Sequence, residues 1–183
     1  MPAMVSGLVM GYIMYFFFQY KGGVVNDIMA MLGLNGYDWL GNGGSAIAVI
    51  VFINKWQFVG VSMVIYLAGI QGVSQSYIEA ATMDGATAWE RFRYVILPLL
   101  IPALSSSVIY NLIGGLKLYD VIIALTDGGP AKKTHSLATY IANRYFDAER
   151  AGYAAAIGVF SFIMIMIISM VINGYFRKKE VEL

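Results

Sequence analysis

Two stretches of this chain, 2–20 and 152–176, contain no Asp, Glu, Lys or Arg. An α-helix rises 1.5 Å per residue, so ~20 apolar residues cross the ~30 Å hydrocarbon core of a bilayer. Uncharged runs of this length predict membrane-spanning helices. The rest of the sequence agrees: 59% of the 183 residues are hydrophobic and 13% are charged, against roughly 25% charged in an ordinary soluble domain. A soluble fold could not hide so much apolar surface, because a folded chain of ~150 residues buries only about 70% of what it exposes unfolded.

Two further stretches qualify as spans. One is 46–70, interrupted by Asn54-Lys55-Trp56-Gln57, and the other is 95–119, which opens with Leu97-Pro98 and Pro102. Aromatic residues at the ends of the runs fit the interfacial belt. The expected architecture is all-α, a polytopic membrane helix bundle of about four spans forming one domain over 1–183. Continuous apolar runs exclude a strand barrel, whose segments alternate over ~10 residues. The first run lacks a basic start and a small-residue cleavage site, so it is not a signal peptide.

Three connections join the spans. The first, 21–45, is rich in Gly and Asn and reads as loop with one short helix. The second, 71–94, carries Glu79, Asp84, Glu90, Arg91 and Arg93. The third, 120–151, holds the turn Thr126-Asp127-Gly128-Gly129-Pro130 and a polar stretch of helical character near 134–145. Basic residues do not settle the orientation by number. Connection 71–94 and the tail hold Arg91, Arg93, Arg177, Lys178 and Lys179; the other connections hold Lys21, Lys132, Lys133, Arg144 and Arg150. The basic cluster directly after the last span favours a cytoplasmic C-terminus, and with four spans a cytoplasmic 71–94 as well.

Several chemistries are excluded. A net charge of +1 gives no nucleic-acid footprint. With no cysteine there is no disulfide, thiolate nucleophile or cysteine metal site, and His135 is the single histidine. The chain has no Gly-Lys pair, hence no phosphate loop for ATP, and neither a His-Glu-x-x-His nor a Gly-x-Ser-x-Gly element. The chain is not expected to be an enzyme.

Connection 71–94 is the most informative segment. Ser76 and Glu79 have the spacing of a capping box, alanines favour helix, and Gly85 suits a left-handed helix end. A second helical piece over 88–94 leads into Leu97-Pro98. A short helix framed in this way is either an ordinary capped loop or a docking element for a soluble partner.

Glu79-Ala80-Ala81, Asp84-Gly85-Ala86 and Ile96-Leu97-Pro98-Leu99 resemble the cytoplasmic loop of binding-protein-dependent ABC importer permeases. The family pattern is Glu-Ala-Ala, three residues, Gly, nine residues, then Ile-x-Leu-Pro. Here the last interval places Val95 where the family has Ile. Gly114-Gly115-Leu116-Lys117 with Asp120, Leu125 to Pro130, Leu137-Ala138-Thr139-Tyr140 and Gly152-Tyr153-Ala154-Ala155-Ala156 resemble the carbohydrate-uptake branch, which includes maltose and glycerol-phosphate permeases. The resemblance covers essentially the whole chain. It also implies that the chain corresponds to part of a family domain, lacking two N-terminal spans.

The resemblance implies the type-1 importer transmembrane fold and a permease subunit of an ATP-driven sugar importer. Glu79, Ala80, Ala81, Asp84 and Gly85 would contact a cytosolic ATPase. ATP and Mg would be used by that ATPase dimer, with no cofactor on this chain. The other partners implied are a second, related permease, an extracytoplasmic solute-binding protein, the sugar and the bilayer; nucleic acid is not among them. The expected location is a bacterial or archaeal cell membrane, multi-pass. Positions matching the family's sugar path are Asn54, Gln57, Phe58 and Val61, with Asn111, Gly115 and Leu118. Amides and aromatic rings suit sugars, yet the same amides can bond neighbouring helices. Lys55 either snorkels or pairs with a partner's carboxylate. Lys117 and Asp120, at i,i+3, predict a local ion pair. Gly7-x-x-x-Gly11 and Ala154-x-x-x-Gly158 predict close helix packing. The alternatives are a permease for another solute and a non-transporting membrane scaffold.

Overall fold

The computed structural model describes residues 2–178, so within the tail expected to be cytoplasmic, residues 179–183 lie outside the described part. Among the described residues every regular element is helical. They cluster into two compact units, one comprising residues up to Phe58 with Gly114–Ile163, the other Val59–Ile113 with Met164 onward.

In the first unit a single 3-10 turn, Pro2–Met4, precedes α1, Gly7–Phe18. The run read as 2–20 is thus broken at Val5-Ser6, and α1 with 12 residues is about 18 Å long. Helix α2, Val24–Met31, follows. Helix α3, Gly43–Gln71, begins here and extends past both ends of the 46–70 stretch. Helix α8, Asp120–Thr126, is short and almost wholly buried through Val121, Ile122, Ala124 and Leu125.

Met10 of α1, Val49, Ile50 and Ile53 of α3, and Val121, Ile122 and Leu125 of α8 form one apolar core, with Phe18, Trp39, Leu40 and Leu118 against it. Burial of this cluster is the main favourable term at about 25 cal/mol per Å². The contact of α1 with α8 depends on glycine. A Cβ on Gly11 would stand 2.5 Å from Ala124 Cβ and 3.3 Å from Val121 Cα, and one on Gly7 would stand 2.9 Å from Asp120 Cβ. The Gly7–Gly11 spacing therefore marks a close approach. In the other small-residue pair Ala154 is buried, whereas Gly158 has nothing within 4 Å of a built Cβ.

The expected Lys117–Asp120 ion pair does not form among the described residues. Helix α7, Ile101–Leu116, stops short of Lys117, and α8 starts at Asp120, so the two side chains do not share one helical face. The chain then turns through Asp127 and Gly128, both left-handed, and reaches α9, Leu137–Ala142, and a π-helical turn, Asn143–Asp147. Helix α10, Ala151–Arg177, follows.

In the second unit α4, Gln75–Met83, and α5, Ala88–Arg91, make up the connecting segment. A π-helical turn, Phe92–Ile96, leads into α6, Leu97–Leu99, and then α7, Ile101–Leu116. The arm Ala88–Leu99 meets α7 at 63°. Pro102 in the first turn of α7 lacks the N–H that would continue the ladder, which accounts for a break there. Gly69 of α3 approaches α7 closely, since its Cβ would lie 2.7 Å from Ala103 Cβ.

By length and composition α3 and α10 can each cross a bilayer, and the bent pair can serve as a third span. Their surfaces are apolar yet exposed: Val59, Phe160, Phe162, Met170 and Val171 all face outward. An apolar surface this extensive requires lipid or partner chains around it.

Candidate functional site

The connecting segment of the second unit is a fixed helix–turn–helix. Ser74 is extended and precedes α4 without a side-chain cap; Ser74 Oγ and Ser76 Oγ lie 2.8 Å apart. The capping box expected from Ser76 and Glu79 therefore does not form, because the helix begins before Ser76. At the other end Ala86 N donates to Ala81 O and Gly85 N to Thr82 O, each 3.0 Å, with Gly85 left-handed at φ 78°. This pair of bonds satisfies the last carbonyls of α4, and glycine adopts the required φ without strain.

A capping box does form one turn later. Thr87 N and Thr87 Oγ1 donate to Glu90 Oε2 at 2.8 and 2.7 Å, and Glu90 N donates to Thr87 Oγ1 at 3.4 Å. Sequence reading missed it although Thr87-x-x-Glu90 has the pattern. The hydroxyl and then the backbone N–H of Thr87 hold the Glu90 carboxyl below the usual range. Arg91 Nη1 donates to Thr82 Oγ1 at 2.9 Å, tying α5 to the end of α4.

Glu79, Ala80, Asp84 and Gly85 are exposed and Ala81 is half-buried, so the structure brings all five onto one short element. It adds two residues that sequence reading passed over. Met83 is 88% exposed and Trp89 66% exposed, large apolar side chains on either side of the Asp84–Thr87 turn. Their signal was an apolar residue beside Asp84-Gly85 and an aromatic in the second helix.

The expected sugar-path residues fall in both units. In the first, Asn54 and Phe58 are half-buried on α3, Gly115 is exposed and Leu118 packs against the core. Gln57 is 2% exposed; its Nε2 donates to Val5 O at 2.9 Å across 52 residues, and its Oε1 has no partner. Gln57 thus holds the carbonyl where the 3-10 turn breaks before α1. In the second unit Val61 is half-buried and Asn111 exposed. Asn111 Nδ2 donates to Ser62 Oγ at 2.9 Å and to Ser107 O at 2.7 Å. These bonds fix the amide plane and leave Oδ1 as a free acceptor.

The third connection is also ordered by polar contacts. Ser136 caps α9 with Thr139 and donates to Leu118 O at 2.5 Å. Arg144 Nη2 donates to the Tyr140 hydroxyl at 2.7 Å, and the guanidinium lies 4.8 Å from the Tyr140 ring centroid. That hydrogen bond lowers the Tyr140 phenol from its ordinary value. His135 belongs to the same turn, with Nδ1 3.1 Å from Thr139 Oγ1. Among the described residues no three His, Asp or Glu side chains are placed to hold a metal ion.

Residues 1–181 match the family described as binding-protein-dependent transport system inner membrane component. The chain is 32% identical over 183 residues to the probable starch degradation products transport system permease protein AmyD of Thermoanaerobacterium thermosulfurigenes, covering all of this chain and 62% of that protein. It is 34% identical over 163 residues to the trehalose/maltose transport system permease protein MalF of Thermococcus litoralis, covering 88% of this chain and 55% of that one. Among solved structures, a bacterial ABC transporter involved in import of the acidic polysaccharide alginate superposes with a TM-score of 0.84 at 25% identity, covering 97% of this chain and 62% of the matched chain. The chain spans a little over half the length of these relatives, which are named as transport proteins. The apolar helices fit that match, and the chain belongs to the binding-protein-dependent transport system inner membrane component family.

Proposed function

We propose that this chain is the permease part of an ATP-driven sugar importer, and that α4 with its left-handed turn is where a cytosolic ATPase takes hold. The observation that carries the reading is the construction of the turn: the end of α4 and the start of α5 are closed by hydrogen bonds, while Met83 and Trp89 project outward. Exposed apolar residues on a rigid frame suit a socket on a protein, and Glu79 adds a charge-assisted contact. Small residues at Ala80, Ala81 and Gly85 admit a cleft wall. The relatives' names as sugar permeases support the solute class.

In this reading ATP and Mg act on the ATPase dimer. Closure of the ATPase pushes α4, and the rigid turn passes the movement to the helices at either end, giving alternating access by rigid-body rocking. A second permease completes the path, and a solute-binding protein delivers the sugar; a solved structure of the alginate importer is in complex with an oligosaccharide-bound periplasmic protein. Asn111 Oδ1, in the second unit, offers an acceptor for a sugar hydroxyl; Asn54 and Phe58 are separate candidates on the first unit. The C-terminus and the 71–94 segment lie on the ATPase side.

The test is co-purification with the ATPase together with uptake. Glu79→Lys is expected to lose the ATPase, and Gly85→Asp to remain in the membrane while ATP-dependent uptake falls to background. Normal uptake by both variants would overturn the docking assignment.

A further inference from the structure

Within the first unit lies a cavity of about 790 Å³, open along one side and lined mainly by Phe18, Met29, Tyr37, Trp39, Ala48 and Phe52. Its size suits a small ligand. Its walls are aromatic, with Trp39 edge-on to both Phe18 and Tyr37.

Counting donors and acceptors decides what such a space takes. The polar edges of the lining are largely spent elsewhere. Trp39 Nε1 donates to Asn26 Oδ1 at 3.2 Å, and so does Tyr37 N at 3.1 Å. Asn26, itself buried, returns two bonds to Tyr20 O and Tyr37 O, each 3.0 Å. Ser45 Oγ donates to Asn42 O at 3.0 Å. The Asn35 amide and the Tyr37 hydroxyl are what remain for a guest. A sugar has hydroxyls all round its ring and would leave most of them unpaired here. An alkyl chain needs none.

The surroundings point the same way. Helix α2 supplies Met29 to the cavity, and the chain around its far end presents Ile28, Met31 and Leu32 outward, Met31 at 85% exposure and Leu32 at 71%. A short helix with an exposed apolar side and an aromatic margin lies in the boundary layer of a bilayer.

We infer that this cavity binds an acyl chain of a membrane phospholipid, held between α2 and the first turns of α3. The test uses the chain's small tryptophan complement. With three tryptophans in the sequence, Trp56→Phe with Trp89→Phe leaves Trp39 as sole reporter in the full chain. The protein is reconstituted into phosphatidylglycerol/phosphatidylethanolamine vesicles with or without bromine on the acyl chains. Bromolipid is expected to quench Trp39, and Ala48→Phe, which fills the cavity, to abolish most of that quenching. Ile47→Phe, on another face of α3, is expected to leave it unchanged. Absence of quenching, or quenching equal in the Ala48→Phe and parent proteins, would overturn the assignment. So would maltose relieving the quench, which would mark a sugar site, or the companion permease relieving it, which would mark a protein interface.

Discussion

Gly11 shows how one hydrogen atom in place of a side chain sets a helix contact. Ala124 Cβ occupies the space a Cβ at Gly11 would need, and the α8 backbone stands behind it. Backbone cannot retreat as a flexible side chain can. Gly11→Val is therefore expected to destabilise the first unit by about 1–3 kcal/mol, seen as a lower thermal transition in detergent, with Ala124→Gly in the same chain recovering part of the loss. Gly158→Ala, where no atom is near, is expected to leave the transition in place. The two small-residue pairs look alike in sequence because spacing reports which residues share a face, and says nothing of what is packed against that face. Gln57 teaches the same lesson from the polar side. An amide in an apolar helix signals a fixed partner, yet the partner proved to be the Val5 carbonyl, 52 residues away. Only the chain break at Val5-Ser6 explains why that carbonyl was available.

At the scale of elements, the connecting segment depends on where each helix starts. Two Ser/Thr-x-x-Glu patterns lie within it, at Ser76 and at Thr87. The second is used because Ala86 and Thr87 follow the left-handed Gly85, which ends α4 and makes Thr87 the N-cap of a new helix. The first is unused because α4 has already begun at Gln75. Glu90 is bound as the carboxylate, so its folded pKa is depressed, and the sign follows. The stabilising contribution is complete above the ordinary carboxylate value and is lost as pH falls through the lowered one. Amide exchange of Ala88–Arg91, corrected for intrinsic rates, is expected to lose protection in acid over that window. Thr87→Ala is expected to speed it about fivefold at neutral pH, as removal of one cap does, while α3 keeps its protection. Unchanged exchange in Thr87→Ala would mean that tertiary contact alone holds α5. The long helices were legible for a different reason. In α10 the absence of charge over ~20 residues, and in α3 a single lysine within 29 mostly apolar residues, call for apolar surroundings along the helix. The bend before α7 and the break before α1 were not, since proline and glycine in a span permit a kink without requiring one.

For the molecule as a whole, Lys55 poses the problem that the bilayer makes unavoidable. Helix α3 has 29 residues, about 43 Å, and Lys55 lies about 18 Å from its start, close to the middle. The buried stripe of α3 runs through Ala46, Val49, Ile50, Ile53 and Gln57. At 100° per residue Lys55 projects from the opposite side, and it is exposed. A lysine at the centre of a span costs about 2.5–3.5 kcal/mol on insertion scales, and a reach of four methylenes shortens the distance to the interface without spanning it. No carboxylate of the described residues pairs with it. If the chain works as proposed above, the ammonium meets water or a counter-charge outside this chain, with its face toward the transport path or a companion subunit. Lys55→Met removes that requirement. It is expected to leave the amount of protein in the membrane unchanged or higher, while lowering ATP-dependent uptake; Lys55→Glu is expected to lower uptake further because it reverses the charge. The check is uptake normalised to membrane protein. Full uptake by Lys55→Met would show that the side chain merely snorkels, and the path would then have to lie along another face of α3.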